Sequence, residues 1–173
     1  MKEIPLTQGY IALVDDSDFD YLNQFKWSAV CDTRKDGTVR TVYAYRNSPK
    51  HSGSPHHMIA MHRELMGVTD PKTHVDHEDH WGINNQRCNL RVCSGTQNNG
   101  NQRKQSAKTS KFKGVHWVSD TSRKRNKRWR AQLKIMSRCV HLGTFLTQEE
   151  AARAYDAAAI TYFGEFALTN FSQ

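Results

Sequence analysis

Asp76 and His77 stand side by side in "VDHEDH", Asn89 precedes "LRV", and Asn98 sits in "TQNNG". The separations are 12 residues from His77 to Asn89 and 9 from Asn89 to Asn98. Two readings are open. One is a loop that is simply polar. The other is a site that holds a metal and activates a water. Histidine is skewed toward this region, because seven of the nine lie between His51 and His80. An imidazole titrates near neutrality, so such a cluster points to proton transfer or metal chemistry. A structural zinc built from Cys88, Cys93 and nearby histidines is a weaker alternative, since the C-x4-C spacing has no second matching pair. His62, His74 and His80 read as ordinary packed or surface histidines, and Asn84 and Asn85 as turn formers. Arg63, Arg87 and Arg91 are either backbone contacts or solvated side chains.

The elements that would position these residues follow from composition and pattern. The chain has 173 residues, 37% hydrophobic and 24% charged, with a net charge of +8. This suits two modest cores joined by a polar connection better than one large core. No apolar run approaches the roughly 18 residues of a membrane helix, and no signal peptide opens the chain. Cys31, Cys88, Cys93 and Cys139 are scattered, as in a reduced intracellular protein. Between Asn101 and His141 there are 13 Lys or Arg residues and one acidic residue, Asp120. Such a run is a polyanion footprint, and double-stranded DNA is the expected partner, with no membrane and no small-molecule cofactor.

Residues 1–55 read as a β-rich region. "YIALV" suits a strand, Asp15–Trp27 a short capped helix, and Lys35–Gly37 a hairpin turn between two strands. In His56–Gly67, the positions of Met58, Ile59, Met61, Leu65 and Met66 predict an amphipathic helix ending at Gly67. Residues 56–102 then hold the polar constellation, and 103–110 form a basic linker. Ten extended residues span about 33 Å, close to one DNA turn of about 34 Å.

Residues 111–173 are the most regular. In "WRAQLKI", Trp129, Ala131, Leu133 and Ile135 alternate with Arg130, Gln132 and Lys134, and Arg128 precedes them in the polar phase. That is a sheet with one buried and one basic face. "KGVHWVS" and "CVHLGTF" flank it as strands. Thr147 and Glu150 form a capping box, and Gly164 is a helix stop. Ala151, Ala154, Ala158 and Tyr162 are the expected packing stripe. The pattern is a three-stranded antiparallel sheet on one helix, and its free face can enter a major groove. This segment, above all Leu142–Ala158, resembles the plant ethylene-response-factor DNA-binding domain of the Apetala-two type. The resemblance implies DNA contacts from Lys113, His116, Arg128, Arg130, Gln132, Lys134 and His141, with Val118 and Cys139 at further positions of the same face. His141 stands where the plant pattern has tryptophan, and Val118 and Cys139 are poor base readers, so the plant target sequence does not carry over.

The Asp76–Asn98 region, with "VDH", "GINNQRC", "NLRV" and "TQNNGNQ", resembles the HNH nuclease motif of phage and intron-encoded homing endonucleases. The likeness implies a ββα-metal (His-Me finger) module and an α+β chain overall. It implies His77 as general base, Asn89 fixing the loop that orients it, and Asp76 and Asn98 as ligands of Mg²⁺ or Mn²⁺. A helix at about Ser94–Gln102 would return Asn98 to Asp76. The expected function is a metal-dependent DNA endonuclease, monomeric, in the cytoplasm of a bacterial or phage-infected host. The competing expectation is a DNA-binding regulator whose nuclease module is inactive.

Overall fold

Short runs of β-formers divided by turn residues fold into small antiparallel sheets, with few helices between them. A computed structural model describes residues 1–49, 57–104, 109–118, 129–136 and 138–171. The chain divides into two compact units, Met1–Ser94 and Gly95–Gln173, and the class is α+β.

In the first unit, β1 (Lys2–Pro5) pairs with β2 (Ile11–Val14). Helix α1 (Asp16–Leu22) follows. Asp15 stands at its N-cap, but its carboxylate makes no cap bond. It accepts instead from the Arg87 backbone N–H at 2.8 Å, which ties a distant loop to the helix start. The hairpin β3 (Ser28–Thr33) and β4 (Val39–Asn47) turns at Gly37, where φ is +83° and glycine is strain-free. Ala29, Val42 and Ala44 face a core built with Ile4, Val14, Leu22 and Trp27. The Trp27 indole N–H donates to the Leu22 carbonyl at 2.8 Å, so this buried polar atom is satisfied.

The expected helix over His56–Gly67 is much shorter. Met58–Ala60 forms β5, paired with the end of β4, and only Met61–Leu65 is helical, as α2. The sheet edge takes up the backbone groups of β5, and that pairing outweighs the helical spacing of the apolar residues. Strands β6 (His74–His77) and β7 (Leu90–Cys93) make a separate antiparallel ribbon.

The second unit starts with α3 (Gly95–Asn101). Strands β8 (Val115–Trp117), β9 (Trp129–Ile135) and β10 (Arg138–Phe145) form one sheet in the order β10-β9-β8. Helix α4 (Gln148–Phe163) covers one face. Its capping box is complete: the Thr147 side chain accepts from the Glu150 N–H, and the Glu150 carboxylate accepts from the Thr147 N–H. The buried stripe differs from the alanine stripe expected. Ala151, Ala152, Tyr155, Ala159 and Phe163 are buried, whereas Tyr162 is exposed. Alanine occurs all round this helix, so its spacing does not select a face; the two large rings at 155 and 163 do. Gly114 permits this packing. Its φ is +73°, and a Cβ there would lie 1.9 Å from the Tyr155 ring. Asp156 is also buried, and accepts from the Asn170 and Phe171 backbone N–H groups at 2.8 and 3.0 Å. This pins the C-terminal segment onto α4.

Candidate nucleic-acid interface and the Asp-His ribbon

Register places the polar residues of the sheet. His116 lies opposite Arg130, His141 opposite Gln132, and Cys139 opposite Lys134. Residues directly opposite share a face, as do residues two apart on one strand. His116, Arg130, Gln132, Lys134, Cys139 and His141 therefore lie on one side, and Ala131 and Leu133 are buried on the other, Ala131 against Ala151 and Ala152. Lys134, Cys139 and His141 are exposed; His116, Arg130 and Gln132 are half-buried. Partial burial lowers the pKa of His116, and the cationic neighbours Arg130, His141 and Lys104 lower it further. Val118 follows β8, outside the strand. Arg128 lies outside the described residues.

Lys113 departs from the expected arrangement. Its ammonium donates to the Gly100 carbonyl at 2.5 Å and sits 5.9 Å from the Tyr155 ring. Burial pulls its pKa down to about 8, although Asp156 opposes the shift. Its backbone N–H and carbonyl are held by Asn170 at 2.5 and 3.1 Å. Lys113 thus joins β8, α3 and the C-terminal segment within the unit. Lys104 caps the Ser110 carbonyl and the Phe112 carbonyl, the latter at 2.7 Å. Lys104 of the expected linker is thereby tied to the segment just before β8, a role that residue type alone does not signal.

The ribbon of the first unit places Asp76 opposite Arg91. The Arg91 guanidinium bonds the Asp76 carboxylate at 2.7 Å, and both side chains are largely buried. His77 is surrounded differently. Its ring lies 5.1 Å from His62 in an edge contact and 5.8 Å from Tyr43, and His62 is 5.7 Å from Tyr43. Burial lowers the pKa of His77, opposed by Asn85, Asp79 and Asp76. His62 is pushed down to about 3, by burial first and then by the adjacent His77 and Arg63.

Asn89 is a staple of the 78–89 loop. Its side chain accepts from the Asp79 N–H at 3.0 Å and donates to the Asp79 carboxylate at 3.0 Å and to the Asn84 carbonyl at 2.8 Å. Burial by itself would raise the Asp79 carboxyl, but bonds from Trp81, Asn84 and Asn89 hold it below its ordinary range. Leu13 anchors the same loop through the Ile83 carbonyl and the Asn85 N–H, both at 2.8 Å. Asp79 was absent from the candidates; its spacing to Asn84 and Asn89 is the signal that would have found it. Arg63 donates to the Thr73 and Asp70 carbonyls, and Arg87 chelates Asp18 at 2.8 Å, so with Arg91 all three arginines have intramolecular partners. Asn98 lies on α3, in the second unit.

A sheet with one face on a helix and an open basic face has the arrangement that can enter a DNA groove, and comparisons with known proteins bear on it. No family model matches the chain. Over 64 residues, 36% of the chain, it is 45% identical to the ethylene-responsive transcription factor WRI1 of Arabidopsis thaliana. The same figures hold for the AP2-like ethylene-responsive transcription factor At1g16060 of that plant. Over 72 residues, 40% of the chain, it is 51% identical to Arabidopsis ethylene-responsive transcription factor ERF084. The chain spans only 14%, 17% and 25% of these curated relatives. About a third of it is thus similar to AP2/ERF transcription factors, which supports an AP2-type DNA-binding domain.

The endonuclease expectation is corrected by this finding. The named relatives are transcription factors, not enzymes, and nothing among them supports a phage homing nuclease or a hydrolase. Among the described residues, no three His, Cys, Asp or Glu side chains form a group suited to a metal ion, Cys88 and Cys93 included. Of the two residues expected to hold Mg²⁺ or Mn²⁺, Asp76 is bonded to the Arg91 guanidinium, and Asn98 lies on α3. His77 is buried among rings. No helix among the described residues is long and apolar enough to cross a membrane.

Proposed function

We propose that the chain is a DNA-binding regulator that holds double-stranded DNA against the outer face of its β8-β9-β10 sheet. The Asp76–Asn89 region, in the first unit, serves it as a structural scaffold. The observation that carries this reading is the row of His116, Arg130, Gln132, Lys134 and His141 on one open face, in a segment similar to transcription factors. Charge supports it. Residues 1–94 hold 11 Lys or Arg against 12 Asp or Glu; residues 95–173 hold 14 against 5. The formal charges are −1 and +9, which together make the chain's +8. Gln132 and Arg130 are base-reading side chain types, and Lys134 suits a phosphate. Arg128 extends the same phase by sequence.

Fluorescence anisotropy with a labelled duplex, titrated with salt, tests the reading. Removing a phosphate contact, as in Lys134→Ala, reduces the slope of log K against log salt by about 1. An unchanged slope in an Arg130→Ala, Lys134→Ala double variant rejects this face. Supercoiled plasmid incubated with Mg²⁺ or Mn²⁺ is expected to stay supercoiled. Nicking that His77→Ala abolishes overturns the regulator reading.

A further inference from the structure

We propose that DNA binding by the second unit takes up a proton at His116, so that affinity rises as pH falls. The proposal rests on the sheet face being the DNA-contacting surface.

The two imidazoles occupy neighbouring rows of that face, His116 beside Arg130 and His141 beside Gln132. The groups acting on His116 are Arg130 from β9, His141 from β10 and Lys104 from the segment before β8. The register gives His141 the neighbours Arg130, Gln132 and Lys134 on β9 and Cys139 on its own strand. None of these is a carboxylate. Helix α4, with Glu149, Glu150 and Asp156, covers the opposite face, where Ala131 packs. Among the described residues, the His116 imidazolium therefore meets cations and partial burial, and no carboxylate on its face. A duplex supplies that anion, at one phosphate per about 1.7 Å of helix axis. An imidazolium near phosphate is favoured, and it donates from both ring nitrogens, whereas the neutral ring donates from one.

The sign follows from linkage. Binding raises the pKa of His116, so affinity increases as pH falls toward the free-state pKa and levels off below it. One histidine changes affinity by at most about ten-fold per pH unit. Lys113, held near pH 8, sets the upper limit of a clean window.

The test uses the full chain and a fluorescein-labelled 24-base-pair duplex of mixed sequence at constant low salt, from pH 6.0 to 7.5. Wild type is expected to bind about ten-fold more tightly at pH 6.0 than at 7.5. The His116→Gln variant should change less than about two-fold over the same range. Calorimetry of wild type in two buffers of different ionisation enthalpy reads proton uptake directly and needs no variant; net uptake is expected. Tight binding with flat pH dependence and no uptake overturns the proposal while leaving the DNA-binding face intact. So does a His116→Gln variant, folded by circular dichroism, that retains the wild-type pH slope. Absence of duplex binding at every pH overturns the underlying functional reading as well.

Discussion

His62 places a measurable pH dependence in the first unit. The buried ring lies between Tyr43 and His77 and has a pKa of about 3, against 6.5 in an exposed chain. Between those values the unfolded state carries a proton that the folded state lacks. Stability is therefore full above pH 6.5 and falls as pH drops below it. The slope is about 1.4 kcal/mol per pH unit, so lowering pH from 6.5 to 5.0 costs about 2 kcal/mol. The carboxyls of Asp16, Asp36, Asp70, Asp79 and Glu64 are all held below their ordinary range. Their contributions are lost at lower pH, mainly outside this window. His77 contributes in the same direction, but it is present in wild type and in a His62→Phe variant alike. The variant keeps an aromatic ring and removes the titration. Urea unfolding at half-unit steps from pH 5.0 to 7.5, with amide exchange on β3 and β4 peptides to assign the first unit, measures both slopes. Parallel pH profiles for the two proteins refute the assignment of the shift to His62.

Four further outcomes follow from single contacts. Gly114→Ala places a methyl 1.9 Å from the Tyr155 ring at a φ of +73°, and thermal melting should show a loss of about 3 kcal/mol or more in the second unit. Thr147→Ala removes the cap of α4 and should cost about 1 kcal/mol in the same assay. Glu64→Ala leaves Arg46 without its two-point partner, bonded at 2.8 and 2.5 Å with both side chains about 11% exposed; urea unfolding should show about 3 kcal/mol lost. Asn89→Ala unties Asp79 and Asn84, so hydrogen exchange should accelerate across residues 78–89 before it does so in β3 or β4.

The Lys35–Gly37 turn, the strand alternation of "WRAQLKI" and the capping box at Thr147 were all legible in the sequence, and each appears in the structure. These features are local. A turn needs one glycine, an amphipathic strand needs a period of two, and a cap needs two residues three apart. The helix expected over His56–Gly67 and the alanine stripe on α4 were misread for the opposite reason. A nearby sheet edge decided the first, and two large rings decided the second.

By itself, the sequence determined where the positive charge lies and that a sheet with one basic face packs on a helix. Only tertiary structure decided what Asp76, His77 and Lys113 meet. Asp76 is bonded to Arg91, His77 lies against His62 and Tyr43, and the Lys113 ammonium is turned onto Gly100. Each of these contacts joins residues well apart in the chain. Strand register and burial determine such pairings, and local residue spacing records neither.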